Sequence, residues 1–511
     1  MNGKREYGDY QTPAEFADKV CAYLKNYRHI KPSAVVEPTC GIGNFLKSSL
    51  IFDANEYYGI EINPAYCECC ATKFSNNNKV KIINSNFFSF SLKKLVKDKR
   101  QILVIGNPPW ATNSALSAEG SVNLPAKLNL KGFKGIEAIT GASNFDICEY
   151  IILNLIYEYK GTNAIIAMLC KTSVARNVFL ELYRNKISFS SCDVLEFKAS
   201  KVFGISASAC LLVIKLSETK TLSTSCNVYD FEKPLDMKYK YGYSKGFFYS
   251  NISDDGCRFD GECCFEWHQG IKHDCAKVME LTMNSSRLEN GFKTVVNIEQ
   301  NILFPLVKSS MFKKPIINSF SKFVIVTQKK LREETVYIEK LFPKAWAYLN
   351  DNIDLFKNRK SSIYRGAPKF SMFGIGEYSY SAYKVGVSGF YKKPLFSVLY
   401  SNDKKPVMTD DTSYFICFDD YDMAYIAMLL LNSSEVQEFL GHIAFLDAKR
   451  PYTKKILERI DFNKIISLIT FDRLLSIETE LKLSRYVALS MYDNFKSLVN
   501  NTGKTQSLEL F

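Results

Sequence analysis

The sequence predicts an α/β fold: an open, doubly wound Rossmann-like sheet followed by a mixed α+β domain. Two observations carry this. Apolar strand-like runs alternate with helical patterns early in the chain, and each of the first four runs ends on a polar motif. Doubly wound sheets build their ligand crevice at such strand ends. The alternation stops near Leu216, where stretches rich in Lys and Tyr take over.

Thr12 as N-cap, Pro13 at N1 and Glu15 at N3 form a capping box, and Phe16, Val20, Tyr23 and Leu24 give the helix it opens an apolar face. The polar run before it, Gly8-Asp9-Tyr10-Gln11, is within reach of a ligand. Ala34 to Val36 is a short buried strand leading into Glu37-Pro38-Thr39-Cys40-Gly41-Ile42-Gly43-Asn44 and a helix from about Phe45. Gly41 and Gly43 let backbone approach a ligand closely, although Leu46 stands where a dinucleotide fingerprint has its third glycine. The next strand, Tyr57 to Ile60, ends on Glu61, twenty residues after Gly41, a spacing at which a carboxylate accepts both ribose hydroxyls. Lys79 to Ile83 is a third strand, running into Asn84-Ser85-Asn86-Phe87-Phe88. There Asn86 has the polar groups for an adenine edge, and Phe87 or Phe88 a ring for its face.

The fourth strand, Gln101 to Gly106, delivers Asn107-Pro108-Pro109-Trp110. Asn107 offers a side-chain carbonyl, and the two prolines lack N–H groups and fix φ, so the turn presents acceptors in a rigid frame. Trp110 adds a flat face for a planar ring. The set describes a pocket for an aromatic amine such as adenine N6; the plainer reading of the tetrapeptide alone is a strand-ending turn with Trp110 in the core.

Residues 111–143 form a long aperiodic loop, read as a lid or substrate-facing segment. A helix over Ile147 to Tyr159 follows, then strands at Asn163 to Leu169, Cys192 to Phe197 and Ala209 to Lys215. The predicted domains are 1–216 catalytic, 217–250 linker, 251–470 a second, basic domain and 471–511 a C-terminal helical segment. Sixty-six Lys and Arg against 53 Asp and Glu give a net charge of +13, compatible with a polyanion partner. Arg365, Lys369, Lys384 and Lys272 lie among interleaved basic, aromatic and glycine residues and are candidate DNA contacts. Fifteen cysteines without an apolar N-terminal leader read as reduced thiols in a cytoplasmic protein. The cluster of Cys257, Cys263, Cys264, His268, His273 and Cys275 lacks paired Cys-x-x-Cys spacing, so no metal site is expected. The longest apolar run, Met423 to Leu431, is too short to span a membrane.

Taken together, these motifs resemble the N6-adenine DNA methyltransferases of restriction-modification systems, with the cofactor region first and the target-recognition domain last. Residues 37–43 are similar to that family's cofactor loop, residues 107–110 to its catalytic tetrapeptide, and residues 8–13 to its N-terminal cofactor motif. The resemblance implies a Rossmann-like methyltransferase sheet with a C-terminal mixed α+β target-recognition domain. It implies S-adenosylmethionine as cofactor, held by Tyr10, Thr12, Glu37, Thr39, Gly41, Gly43, Glu61, Asn86, Phe87 and Asn107, and Asn107, Pro108, Pro109 and Trp110 as catalytic residues. Double-stranded DNA is the implied partner, alongside a cognate restriction endonuclease. Phe203-Gly204-Ile205 lies where the family places a loop near a flipped base, and 269–275 and 447–452 are similar to its recognition-domain sequence. Two departures stand out: Trp110 replaces the more usual Tyr or Phe, and Asn86 a common Asp. An Asn-Pro-Pro turn also suits RNA or a protein glutamine side chain, which is the alternative substrate class.

Overall fold

The computed structural model describes residues 11–92, 101–110, 146–244, 246–252 and 257–508. Tyr10 and the 111–143 loop lie outside them. The chain divides into two compact units, Met1–Ile252 and Ser253–Phe511.

The first unit is built on a ten-stranded sheet. Its strands are β1 (Ala34–Glu37), β2 (Glu56–Glu61), β3 (Val80–Asn84), β4 (Ile102–Gly106), β5 (Ile165–Lys171), β6 (Phe189–Lys198), β7 (Ser208–Leu216), β8 (Ser225–Asp230), β9 (Lys233–Ser244) and β10 (Phe247–Tyr249). The order is β10-β9-β8-β6-β7-β5-β4-β1-β2-β3. The pairs from β3 to β5 are all parallel, while β7 runs antiparallel between β5 and β6. This is the doubly wound sheet the sequence predicts, with order reversing at β1 and β4, where such sheets bind ligands. Strands β1 and β4 are buried along their whole length, as strands covered on both faces must be. Helices α1 (Ala14–Asn26), α2 (Asn44–Ser49), α3 (Pro64–Lys73), α4 (Ile147–Tyr159), α5 (Thr172–Arg184) and α6 (Ala199–Val202) connect them.

Helix α1 buries Phe16, Val20, Tyr23 and Leu24, the predicted face, and Phe16 meets Phe197 at 4.8 Å between ring centroids. Full burial of one such side chain stabilises the unit by about 1.5–3 kcal/mol. The predicted capping box is corrected: α1 starts at Ala14 with Pro13 in the N-cap position and no side-chain cap. Proline fixes φ there, and the Thr12 carbonyl is drawn instead toward Asn44 Nδ2 (2.8 Å).

Residues 217–250 are not a linker. Strand β8 pairs in parallel with β6 and carries an antiparallel β9, which in turn carries β10, so the sheet continues three strands further. Asp193 of β6 binds Arg28 and accepts from Asn227 Nδ2 of β8 (3.0 Å), tying the extension to the core. Half-exposed β9 alternates Lys with Tyr, so it lacks the continuous apolar signal of a central strand.

In the second unit one sheet runs β11 (His268–Gln269), β20 (Ser413–Phe418), β17 (Tyr383–Ser388), β18 (Ser397–Leu399) and β15 (Ile316–Ile317). The other runs β13 (Arg287–Glu289), β12 (Glu280–Asn284), β16 (Lys322–Ile325), β14 (Leu303–Val307) and β19 (Met408–Thr409). Helices Phe471–Glu480 and Leu489–Leu508 belong to this same unit. No described helix is long and apolar enough to cross a membrane.

Candidate active site

Parallel register brings four strand ends to one edge of the first sheet. Glu37 pairs with Gly59, Glu61 with Asn84, and Val36 with Val104. A Cβ on Gly106, the last residue of β4, would stand 3.5 Å from Glu37 Cγ and 3.7 Å from Pro38 Cδ, so the tetrapeptide starts directly beside the 37–43 loop.

Backbone and side-chain bonds together fix that loop. Cys40 N–H donates to Ile60 O (2.9 Å) and Gly43 N–H to Cys40 O (2.8 Å). Gly41 N–H donates to Glu61 Oε2 (2.7 Å), whose other oxygen accepts from Asn63 N–H (2.8 Å). Gly41 (φ 52°) and Gly43 (φ 73°) are both left-handed, which glycine tolerates without steric cost. Two residues absent from the sequence-level site complete the frame. Gln11 Oε1 accepts from Ile42 N–H (3.3 Å), and Lys73 Nζ of α3 donates to Ile42 O and to Asn44 Oδ1 (3.2 Å). Gln11 sits inside the N-terminal motif, so its position was legible; Lys73 had no sequence signal.

The hydroxyls of Thr12 and Thr39 are buried and bond nothing among the described residues. An unsatisfied buried hydroxyl costs about 1–3 kcal/mol, so polar groups of a ligand are favoured there. Glu37 is also buried, with Oε2 accepting from Leu46 N–H of α2 (2.9 Å), and burial pushes its carboxyl well above the usual range. A carboxyl whose folded pKa is raised binds its proton more tightly in the native state. Stability therefore falls as pH rises from the unfolded value near 4.5 through the raised one. Glu37→Gln keeps the bond to Leu46 and removes the titration. Its melting temperature is expected to equal wild type at low pH and to exceed it at neutral pH, as thermal scans across pH will read.

Asn86 Oδ1 accepts from Phe88 N–H (2.9 Å), capping a short 3₁₀ turn, so one lone pair of the predicted adenine contact serves the backbone. Phe87 is largely buried, and Phe88 meets Tyr150 edge-on at 5.7 Å. Asn107 is half-buried and Pro108 buried. Trp110 is 8% exposed, and its ring meets Phe203 at 5.4 Å with the planes 70° apart. Phe203 directly follows α6, so the loop before β7 reaches the tetrapeptide, as its motif position implied.

In the second unit Arg365 and Lys369 are exposed on a loop shaped by Arg359, which donates to His273 O (3.2 Å) and Ser371 O (2.7 Å) and lies 3.7 Å over the Tyr364 ring. Lys272 is partly exposed, 3.6 Å from Asp274. Lys384 is no DNA contact. It is 1% exposed and donates to the carbonyls of Ser379 (3.0 Å), Ser381 (3.0 Å) and Val407 (2.8 Å), with burial lowering its pKa to about 8. Strand β17 is buried from Lys384 to Ser388, which basic composition does not reveal.

No family model matches the chain. It is 36% identical over 474 residues to the type II methyltransferase M.NspV of Nostoc sp., covering 91% of this chain and 98% of that one. It is 24% identical over 195 residues to the type II methyltransferase M.CvrRI of Paramecium bursaria Chlorella virus XZ-6E, covering 38% and 44%. Among solved structures, the type IIG restriction endonuclease BpuSI aligns over 96% of this chain and 65% of that chain at 10% identity with a TM-score of 0.36, too loose a likeness to bear on chemistry. Identity of that degree along nearly the full length of M.NspV, on a chain whose sheet has this strand order, shows that the protein belongs to the type II methyltransferases of restriction-modification systems.

Proposed function

We propose that the protein is a site-specific adenine methyltransferase, which transfers a methyl group from S-adenosylmethionine to N6 of an adenine flipped out of double-stranded DNA. One observation carries the reading. A rigid Asn-Pro-Pro-Trp turn leaves β4 at the same sheet edge as a glycine loop whose Thr39 hydroxyl is buried and unsatisfied among the described residues, as is the hydroxyl of Thr12, whose carbonyl accepts from Asn44 at the end of that loop.

The residues present fit S-adenosylmethionine. A cation beside the buried Glu37 would favour its charged form, so this carboxyl suits the cofactor's ammonium; Gly41 and Gly43 allow close approach, and Glu61 is a carboxylate of the kind that accepts from ribose hydroxyls. Asn86 and Phe87 would flank its adenine, with the unsatisfied hydroxyls of Thr12 and Thr39 available to its polar groups; Tyr10 lies outside the described residues. When bound, the cofactor supplies an activated methyl group.

The rest falls to the tetrapeptide. Adenine N6 is a poor nucleophile because its lone pair is conjugated with the ring. Asn107 Oδ1 and the Pro108 carbonyl each accept one of its hydrogens, which draws the nitrogen toward tetrahedral geometry and directs the lone pair outward. Methyl transfer would leave this nitrogen positive, and one of the hydrogens held by Asn107 Oδ1 and the Pro108 carbonyl would then pass to water as a proton. Trp110 stacks on the base, and Phe203 confines it from a second direction. Flipping costs a few kcal/mol of unstacking and unpairing. Phosphate contacts from Arg365, Lys369 and Lys272 help offset it.

Trp110→Ala is expected to raise KM for DNA about 5- to 150-fold, the equivalent of about 1–3 kcal/mol of stacking, with kcat changed less, and Trp110→Phe to recover most of the loss. An unchanged KM would remove Trp110 from the base pocket. The function itself is tested by tritiated methyl transfer from S-adenosylmethionine to DNA from a methylation-deficient host, followed by single-molecule sequencing. N6-methyladenine at one recurring sequence supports the proposal; label in cytosine, RNA or protein alone overturns it.

A further inference from the structure

A cleft of about 660 Å³ opens in the second unit, lined by Lys272, His273, Glu280, Lys308, Asp410 and Asp411 among others. Its charge decides what it can receive. Lys308 Nζ lies 2.8 Å from both carboxylate oxygens of Glu280, so that pair neutralises itself. His273 is buried, its pKa is lowered by desolvation, and Nδ1 accepts from Cys275 N–H (3.2 Å), so the ring is a neutral group. Lys272 lies 3.6 Å from Asp274, which leaves Asp410 and Asp411 as the carboxylates facing the cleft. Among the described residues no group of three His, Cys, Asp or Glu side chains is placed to hold a metal ion. Neutral N–H donors are the chemistry this cleft accepts.

Asp410 is already engaged, its Oδ1 accepting from Thr412 Oγ1 (2.6 Å) and Ser413 Oγ (3.1 Å). Asp411 is the more open carboxylate, with its side chain 31% exposed. Two stretches far apart in sequence converge on it. Gln269 Nε2 donates to Asp411 O (2.5 Å), and so does Arg450 Nη1 (3.0 Å). Arg450 Nη2 also lies 3.5 Å from Asp411 Oδ2, and the guanidinium stands 5.2 Å over the ring of Phe390, which itself lines the cleft. A guanidinium held on an edge and a face has lost its rotamer freedom before any partner arrives, yet a fork of five N–H groups retains donors beyond these contacts.

We infer that Arg450 and Asp411 together read one G·C pair of the target in the major groove. Arg450 donates to guanine O6 and N7, and Asp411 accepts from the cytosine N4 amino group, the two side-chain pairings whose geometry matches that base pair. This rests on the DNA substrate proposed above. The pairing with Asp411 sets the direction of the fork, so the two residues act as one reading head.

The test uses the full chain. Once the wild-type target is mapped, kcat/KM is measured on duplexes in which each G·C pair of the target is replaced singly by A·T, for wild type, Arg450→Lys, Asp411→Asn and Arg365→Ala. Lysine keeps the charge but not the fork. Wild type is expected to reject one such replacement about 5- to 150-fold. Arg450→Lys and Asp411→Asn lose that discrimination at the same position and keep it elsewhere, whereas Arg365→Ala weakens all duplexes alike. A discrimination profile identical to wild type in variants that melt normally, or a mapped target without a G·C pair, overturns the inference alone. A wild-type enzyme that methylates no DNA overturns the proposed function and this inference with it.

Discussion

Asn107→Ala is expected to lower kcat for methyl transfer by about a hundred- to a thousand-fold, the range seen when one preorganised polar group is removed from a transition state. DNA binding is expected to persist, because in the proposed mechanism the substituted group acts on the reacting amine rather than on the phosphates. The reason is positional. Asn107 follows directly on β4, whose five residues are all buried, and Pro108 and Pro109 fix the backbone on its far side. Its Oδ1 is itself buried, so an acceptor there acts in a low-dielectric setting where it is worth more than in water. Asn107→Asp keeps an acceptor oxygen and should retain measurable activity, which separates the acceptor role from mere shape. Calorimetric melting of both variants separates a loss of chemistry from a loss of fold. Equal single-turnover rates for wild type and Asn107→Ala would sink the mechanism.

The strands of the catalytic sheet were legible because parallel strands covered on both faces read as continuous apolar runs, as β1, β4 and β5 do. Helix α4 was legible to its ends because Asp146 caps it, accepting from Cys148 N–H (3.0 Å). The glycine loop, Glu61 and the tetrapeptide were legible through their spacing and their places after strands. What the sequence hid depends on direction or on distant partners. Lys384 looked like any lysine in a basic stretch until the sheet turned it inward onto three carbonyls. Strands β8 to β10 hid because half-exposed strands carry polar residues. The apolar run at Met423 to Leu431 lies in a helix, Tyr421–Asn432, that ends where Ser433 leaves the helical region and caps a second, Ser434–Ile443, through Val436 N–H (3.3 Å). Glu37 and Leu46 are nine residues apart and Arg450 and Asp411 thirty-nine, so neither partnership follows from local pattern.

Gly43→Ala is expected to damage the catalytic unit more than any other single methyl group added to its cofactor loop. Gly43 is left-handed (φ 73°, ψ 33°) and occupies the N-cap position of α2. Alanine there incurs about 1–2 kcal/mol of backbone strain. Space compounds the strain: the new Cβ would stand 2.9 Å from Cys70 Sγ and 3.1 Å from Phe74 Cε2, both buried side chains. Overpacking of that kind adds about 1–3 kcal/mol. At about 2–4 °C per kcal/mol for a unit of this size, the melting temperature should fall by roughly 5–15 °C. The loop that must shift to relieve the clash also carries Gly41 N–H and its bond to Glu61, so S-adenosylmethionine affinity should fall about tenfold or more, the equivalent of one hydrogen bond. Gly161→Ala is the matched control. Gly161 has the same backbone sign (φ 74°), but a Cβ there meets nothing within 4 Å, so it carries the strain without the clash. Calorimetric melting and cofactor titration of the two variants separate the terms. Should Gly43→Ala melt with Gly161→Ala and bind the cofactor as wild type does, the packing of the loop against α3 does not hold the site.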